Sequence, residues 1–313
     1  MKKLSIIIVN WNTKELTLQC LDSFMNNIDN EQVDVYVVDN ASKDGSAEAF
    51  KSHYPLAKVI ENKENRGFAA ANNQVLEQLD TEFALLLNSD TLVIDDAIKQ
   101  SLRYIEEKPE IGVFGCKVLN PDKTLQISCS MFPSIVNMLL QLTTLDKFDS
   151  IPFFGRYHMK SWDRSYAREV DVISGCFFMI RKEVIDKVGA FDADFWFFGE
   201  ETDLCQRISK AGWKIVFAPV GEIIHYGSVS ARKLNYKRDL LLTSAIIRLH
   251  KKHKGKLSAL VILMILTSFS LTRYLGYGFI SLITFGKKGR ERFSHFYRVL
   301  LGAKQTWTGN IQL

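Results

Sequence analysis

Four polar clusters in this chain of 313 residues could do chemistry, and each borders an apolar or amphipathic run. Asp39 closes the run Val33–Val38 and can accept a hydrogen bond from a nucleobase N–H. Arg66 offers a planar donor fork suited to a base or to a phosphate oxygen. Asn88-Ser89-Asp90 ends the run Phe83–Leu87. Its single carboxylate, Asp90, can hold magnesium or manganese if a diphosphate supplies further oxygens. A metal held there would act as a Lewis acid on a leaving group. His225 is a candidate for a further ligand or a phosphate contact. Glu200-Glu201-Thr202-Asp203 opens a helical pattern, where one carboxylate can face a cleft and take a proton from a hydroxyl. Together these groups suit transfer from a nucleoside diphosphate to a hydroxyl. Each also has a plain structural alternative. Asp39 can be a turn former, Asp90 a helix cap, and the Glu200 cluster a complement to the helix dipole.

The elements that must position these residues alternate between strand and helix. Leu4–Val9 is a continuous, mostly β-branched run, as in a parallel strand buried on both faces. Leu16, Cys20, Leu21, Phe24, Met25 and Ile28 share one helical stripe. Further strands are expected at Val33–Val38, Lys58–Ile60, Phe83–Leu87 and Ile111–Leu119, with helices over Gly67–Leu79 and Ala97–Glu107. This order predicts a doubly wound, mostly parallel sheet. In such sheets ligands bind beyond the carboxyl ends of the strands, so Asp39, Arg66 and Asp90 can converge. Residues 120–170 carry a weaker pattern, with a helix expected near Met138–Leu145. A strand follows over Val170–Arg181 with Gly175 inside it. Then come an aromatic loop, a helix Glu201–Ala211, a strand Trp213–Ala218 and a loop from His225 to Ser228.

Composition narrows the class. Hydrophobic residues make up 47% and charged residues 24%, which fits a globular chain with a full core. The net charge of +5 gathers after His250, which points to an anionic partner there. No aromatic-basic recognition motif accompanies it, which argues against nucleic acid. Five cysteines without metal or redox spacing suit buried free thiols. The start, Met1-Lys2-Lys3 and then Leu4–Val9, is too short an apolar run for a secretory segment and reads as a strand.

The order of the motifs adds a resemblance. Ser5–Asn12, Val38–Ser46, Asn65–Ala69 and Leu87–Asp90 look like a family 2 glycosyltransferase. Ser174-Gly175, Gly189–Asp192, Glu200–Arg207, Ala211-Gly212-Trp213 and Pro219–His225 resemble its rhamnosyltransferase-like branch, which builds bacterial surface polysaccharides. The resemblance covers roughly residues 4–255. It implies a GT-A fold, an inverting mechanism, a nucleoside-diphosphate sugar donor, and Mg2+ or Mn2+. It assigns Asp39 and Arg66 to the nucleotide, Asp90 to the metal with Asn88 and Ser89 beside it, and Glu201 to the base. There the family usually has Asp, one methylene shorter. Phe195, Trp196 and Phe198 would lie near the acceptor, where aromatic faces stack on sugars, or else would pack the core.

The expected division is a glycosyltransferase domain over 1–250 and a membrane-associating tail over 251–313. The first 120 residues would form the nucleotide-sugar half and 121–250 the acceptor half. In the tail, Leu257–Thr272 and Tyr274–Phe285 are each shorter than the ~20 residues that span a bilayer. Lys251, Lys252, Lys254 and Lys256 precede them, and Lys287, Lys288, Arg290 and Arg292 follow. A single span would put one basic cluster on the wrong side. A re-entrant hairpin or in-plane helices would keep both on the cytoplasmic face, against anionic lipid. Phe293, Phe296, Tyr297, Leu300, Leu301 and Trp307 suit one face of an interfacial helix. The alternative is an interface in a homo-oligomer. A lipid-linked glycan acceptor would make membrane attachment useful.

Two competing functions remain in view. A nucleotidyltransferase needs a glycine-rich loop after the first strand, and Asn10-Trp11-Asn12-Thr13 has no glycine. An inactive nucleotide-sugar-binding or scaffold protein at the membrane finds support only in Glu201 standing where Asp is usual.

Overall fold

The computed structural model describes residues 2–148, 150–227 and 234–311. Ser228, read above as part of the loop after His225, lies outside them. The chain forms two compact units. The first comprises Met1–Phe132, Trp162–Trp196 and Glu200–Ser230; the second comprises Pro133–Ser161, Phe197–Gly199 and Ala231–Leu313. The boundary expected at residue 250 therefore falls inside a helix of the second unit, Tyr236–Lys254.

The first unit is built on one mixed sheet. Strands β1 (Leu4–Asn10), β2 (Val33–Asp39), β3 (Lys58–Glu61) and β4 (Phe83–Leu87) are joined by helices α1 (Lys14–Met25), α2 (Ser46–His53) and α3 (Gly67–Leu76). Strand β3 pairs with β2, β2 with β1 and β1 with β4, all parallel. The β-branched run Ile6-Ile7-Ile8 is almost fully buried, as expected of a strand covered on both faces. Helix α1 turns Cys20, Leu21 and Phe24 onto this sheet. Burying such side chains contributes roughly 1.5–3 kcal/mol each.

Beyond β4 the sheet changes direction. Strand β10 (Phe177–Arg181) lies antiparallel between β4 and β6 (Ile111–Leu119). Strand β11 (Lys214–His225) runs parallel to β6, and β5 (Thr91–Ile94) pairs antiparallel with β11 at the edge. Helix α4 (Ala97–Glu106) packs on β11. Short strands β7 (Cys129–Ser130) and β8 (Arg168–Glu169) pair antiparallel with β9 (Val172–Ile173) and β11, respectively. Two readings of the sequence need correction. The strand expected over Val170–Arg181 is broken into β9 (Val172–Ile173) and β10, with Ser174–Cys176 as a loop between them. The strand expected over Trp213–Ala218 continues to His225 through a register shift between Phe217 and Glu222. Helix α6 (Lys182–Val188) follows β10, and α7 (Glu200–Lys210) precedes β11.

The second unit is helical. It contains α5 (Ile135–Leu142), α8 (Tyr236–Lys254), α9 (Lys256–Ile283), α10 (Arg290–Leu301) and α11 (Ala303–Thr308). Met138, Ile247, Ala259, Ile262 and Ile265 form its core. His250 pins three segments together, meeting the carbonyl of Pro133 at 2.6 Å and Ser258 Oγ at 2.7 Å. The tail departs from expectation in two ways. Helix α9 is one continuous helix of 28 residues, not two short segments. Phe293 and Phe296 of α10 also turn inward. Phe293 stacks on Tyr274 at 4.7 Å and Phe296 on Tyr277 at 6.0 Å, so α10 folds back along α9. Trp307 packs on the unit's core with Lys251 over its ring.

Candidate active site

The sequence places its polar residues where strands end, and the sheet brings those ends together. Asn10 ends β1 and Asp39 ends β2, directly opposite each other in the parallel register. Both are buried. The Asn10 side-chain amide donates to Asp39 Oδ1 at 2.7 Å, and the backbone N–H of Ser42 donates to Oδ2 at 3.0 Å. Asn10 Oδ1 in turn accepts from the hydroxyls of Thr13 and Thr17 at 2.9 and 2.8 Å. Thr13 lies 3.2 Å from Ser89 Oγ. With its proton committed to Asn10, Thr13 accepts from Ser89. One polar chain thus links Asp39 to the Asn88-Ser89-Asp90 triplet.

Arg66 stands at the start of α3 with its side chain exposed. Its loop is organised by Asn40, a residue that motif reading alone passes over as part of a turn. Asn40 Nδ2 donates to Asn65 Oδ1 at 2.8 Å, and Asn40 Oδ1 accepts from the Arg66 backbone N–H at 3.0 Å. Gly67 then takes φ +79°, and an added Cβ would lie 2.4 Å from the carbonyl oxygen of Trp196. Only glycine fits both the backbone and this approach. The Phe68 N–H donates to that same carbonyl at 3.2 Å. Trp196, from the aromatic loop, is therefore fixed against the start of α3, and its side chain is partly exposed.

The triplet after β4 meets His225 at the end of β11. His225 Nε2 lies 3.2 Å from Asp90 Oδ1 and 3.2 Å from Asn88 Nδ2. Its Nδ1 is 2.6 Å from Gln126 Oε1. The Gln126 amide nitrogen donates to Asn120 Oδ1 and to the His225 carbonyl, so Oε1 is the acceptor for His225 Nδ1–H. With Nδ1–H directed at Gln126, Nε2 accepts from the Asn88 amide and faces a buried carboxylate oxygen. Two acceptors so close suit a shared cation. No cluster of three or more His, Cys, Asp or Glu ligands occurs among the described residues. The protein thus offers an imidazole nitrogen and a carboxylate, and a diphosphate would complete the shell. Gln126, which sets the tautomer, had no signal in the sequence.

Glu200 and Glu201 open α7. Glu201 Oε1 accepts from the Gly175 N–H at 3.1 Å, across the Ser174–Cys176 loop. The neighbouring carbonyl of Cys176 accepts from the Asn88 N–H at 3.2 Å. This loop therefore has the Asn88-Ser89-Asp90 triplet on one flank and Glu201 on the other. Burial pushes the Glu201 carboxyl above the usual glutamate range, opposed by the N–H bonds it accepts. Glu200 is buried with Oε2 unpartnered. Burial and then the charge of Glu201 raise its carboxyl well above that range. Asp203, fully buried, accepts from Arg207 Nε at 2.9 Å. Arg207 also donates to the carbonyls of Gly189 and Ala190, so this pair ties α7 to the loop after α6.

The three aromatic residues separate. Phe195 is 2% exposed, which fits the packing alternative given for it. Trp196 stays at the site. Phe198 belongs to the second unit, where Arg238 lies over its ring.

Residues 5–189 match the family described as "Glycosyl transferase family 2", and residues 155–230 match "N-terminal domain of galactosyltransferase". Among curated proteins, the N-acetylglucosaminyl-diphospho-decaprenol L-rhamnosyltransferase of Mycobacterium tuberculosis is 25% identical over 62% of this chain and 66% of its own length. Rhamnosyltransferase WbbL of Escherichia coli is 26% identical over 47% of this chain and 53% of its own. The O-antigen biosynthesis protein RfbC of Myxococcus xanthus is 25% identical over 74% of this chain, but over only 18% of its own length. Among solved structures, the mannosyltransferase PcManGT from Pyrobaculum calidifontis, in complex with GDP-Man and Mn2+, has a TM-score of 0.59 at 16% identity, covering 99% of this chain and 88% of its own. GalNAc-T7 with UDP, GalNAc and Mn2+ has a TM-score of 0.54 at 15% identity, over 81% of this chain and 52% of its own. At these identities the likeness is one of fold, the GT-A fold. The family match covers more than half of the sequence, and the chain belongs to glycosyl transferase family 2.

Proposed function

We propose that this protein is an inverting glycosyltransferase. It moves a sugar, rhamnose by its relatives, from a nucleoside-diphosphate donor to an acceptor hydroxyl. Its product belongs to bacterial cell-surface polysaccharide, and its acceptor is a lipid-linked glycan met at the cytoplasmic face of the membrane, with the tail as a peripheral or monotopic attachment. The observation that carries this reading is the convergence of Asp39, the Arg66 loop, the Asp90–His225 pair and Glu201 at one end of the first unit's sheet.

In the reaction, Asp39 and Arg66 hold the nucleotide, with Asn88 and Ser89 beside the phosphates. Asp90 and His225 would hold the divalent cation, which when bound neutralises the departing diphosphate. The imidazole nitrogen favours Mn2+ over Mg2+, which takes oxygen ligands. Glu201 takes the proton from the acceptor hydroxyl. That oxygen forms a bond to the anomeric carbon as the bond to the diphosphate breaks, so configuration inverts and the nucleoside diphosphate leaves. Glu201 can serve although Asp is usual, because one oxygen is fixed by the Gly175 N–H while the side chain stays partly exposed. Trp196 offers a ring to the acceptor.

The test is a panel of nucleotide sugars in a thermal-shift assay with Mn2+ and with EDTA, followed by transfer to a lipid-linked acceptor. A ligand present at about 100 times its Kd raises stability by about 2.7 kcal/mol. The native protein should be stabilised by its donor in Mn2+ only, and Asp90→Ala should lose that metal dependence. Equal stabilisation of the native protein in Mn2+ and EDTA would sink the metal assignment.

A further inference from the structure

One face of α9 is covered by its own unit and the opposite face is not. Ala259, Ile262 and Ile265 are buried in the unit's core, and Tyr274 and Tyr277 are stacked by α10. On the other side Leu257, Leu260, Met264, Leu271, Leu275 and Leu282 are all exposed. At roughly 100° per residue these six fall within a sector of about 60°. They form a straight apolar stripe about 38 Å long at a rise of ~1.5 Å per residue. Phe285, 93% exposed, continues the apolar surface past the helix end.

The charge pattern says what covers this stripe. No Asp or Glu occurs between Lys256 and Arg290. The charge within the helix body, Arg273, lies roughly 160° round from Leu257. Exposed Lys252, Lys254 and Lys256 bracket one end of the stripe, and exposed Lys287, Lys288 and Arg290 bracket the other. A second copy of the chain would bring lysines against lysines whether the helices paired parallel or antiparallel. A transmembrane position would strip away the helices that cover the inner face and put Arg273 in hydrocarbon. A flat anionic surface satisfies both the stripe and its two basic ends.

We propose that α9 lies in the plane of an anionic phospholipid bilayer. The stripe from Leu257 to Leu282 sits at the boundary of acyl chains and headgroups, and the two basic clusters meet lipid phosphates. This rests on the enzyme's working at a membrane surface, and it adds which face of the helix docks and how the helix is oriented.

The test floats the intact chain with vesicles of phosphatidylcholine alone and of phosphatidylcholine mixed with phosphatidylglycerol. Binding should require phosphatidylglycerol and weaken with salt. The double variants Leu271→Glu/Leu275→Glu and Lys287→Ser/Lys288→Ser should each bind about tenfold more weakly or less. Donor-induced thermal stabilisation should persist in both variants, which separates lost docking from lost folding. The native thiols are buried, so depth can be read from a label on a cysteine introduced at Leu260, Leu271 or Leu282. Equal shallow depth at all three supports the proposal. A deepest label at Leu271 means the helix crosses the bilayer, and overturns it. So does a vesicle-indifferent dimer that Leu275→Glu dissociates. Vesicle binding by a chain that takes no nucleotide sugar would support the docking while removing the transfer reading.

Discussion

Glu200 and Glu201 are neighbours in different settings, one buried and one partly exposed. Glu201 has one oxygen held by Gly175 and remains partly exposed, so it can work as a base. Glu201→Gln keeps size and hydrogen bonding but takes no proton. Turnover with the true acceptor should fall by about 10²–10⁴-fold while donor affinity changes little. Because burial raises the native Glu201 pKa, the acid limb of its pH–rate profile should lie above the ordinary glutamate value of 4.5. A limb at or below that value would place the base elsewhere. Glu200 gives a stability prediction. Folding raises its pKa, so its favourable contribution is complete below about 4.5 and is lost as pH rises through the raised value. Glu200→Gln should therefore gain in melting temperature over the native protein as pH increases from 5 to 8, by an amount worth roughly 1–3 kcal/mol at most. A gap that shrinks with rising pH would mean that Glu200 is stabilised as the charged form.

At the scale of elements, the Ser174–Cys176 loop is the piece the sequence conceals. Val170–Arg181 has the composition of a single strand. It breaks because Gly175 turns its N–H toward Glu201, a contact 26 residues away that no local pattern records. A Cβ at 175 would stand 2.7 Å from Glu201 Oε1. Gly175→Ala should displace the carboxylate and lower kcat by about tenfold or more, since displacements near 1 Å can cost about 10²-fold. The donor KM should hold. A matching rise in donor KM would show that the loop serves the nucleotide instead. The strands β1, β2, β4 and β6 were legible because their residues are mostly apolar and buried on both faces. The candidate residues at their ends were legible too, since parallel strands bring their carboxyl ends to one side. Strand β5 was not, being four residues at an edge. Nor was the antiparallel direction of β10, which local sequence does not encode. The sequence suggested two segments parted between Thr272 and Tyr274, yet α9 runs through that point. Gly278 is small for a reason of packing, since a Cβ there would stand 2.9 Å from the Phe293 ring of α10.

At the scale of the whole molecule, the tail is part of a folded unit and not an appendage. Ala259, Ile262 and Ile265 of α9 share a core with Met138 and Ile247. Ending the chain after Lys256 would leave that core open, and His250 would lose its bond to Ser258. The truncated protein should lose helicity beyond the removed residues, and α5 and α8 should become sensitive to protease. If they stay resistant, the second unit folds without α9. Attachment is therefore better probed by substitution on the outer stripe than by deletion.

The five cysteines are all buried, and all lie in the first unit. Burial pushes the thiols of Cys20, Cys176 and Cys205 up to about 12, so the folded protein presents almost no thiolate. Their reaction with a thiol reagent consequently acts as a clock for opening of the first unit's sheet alone, blind to events in the helical unit. Read beside far-ultraviolet ellipticity, to which the helices of both units contribute, the count of labelled cysteines would show whether the two units melt as one or in turn.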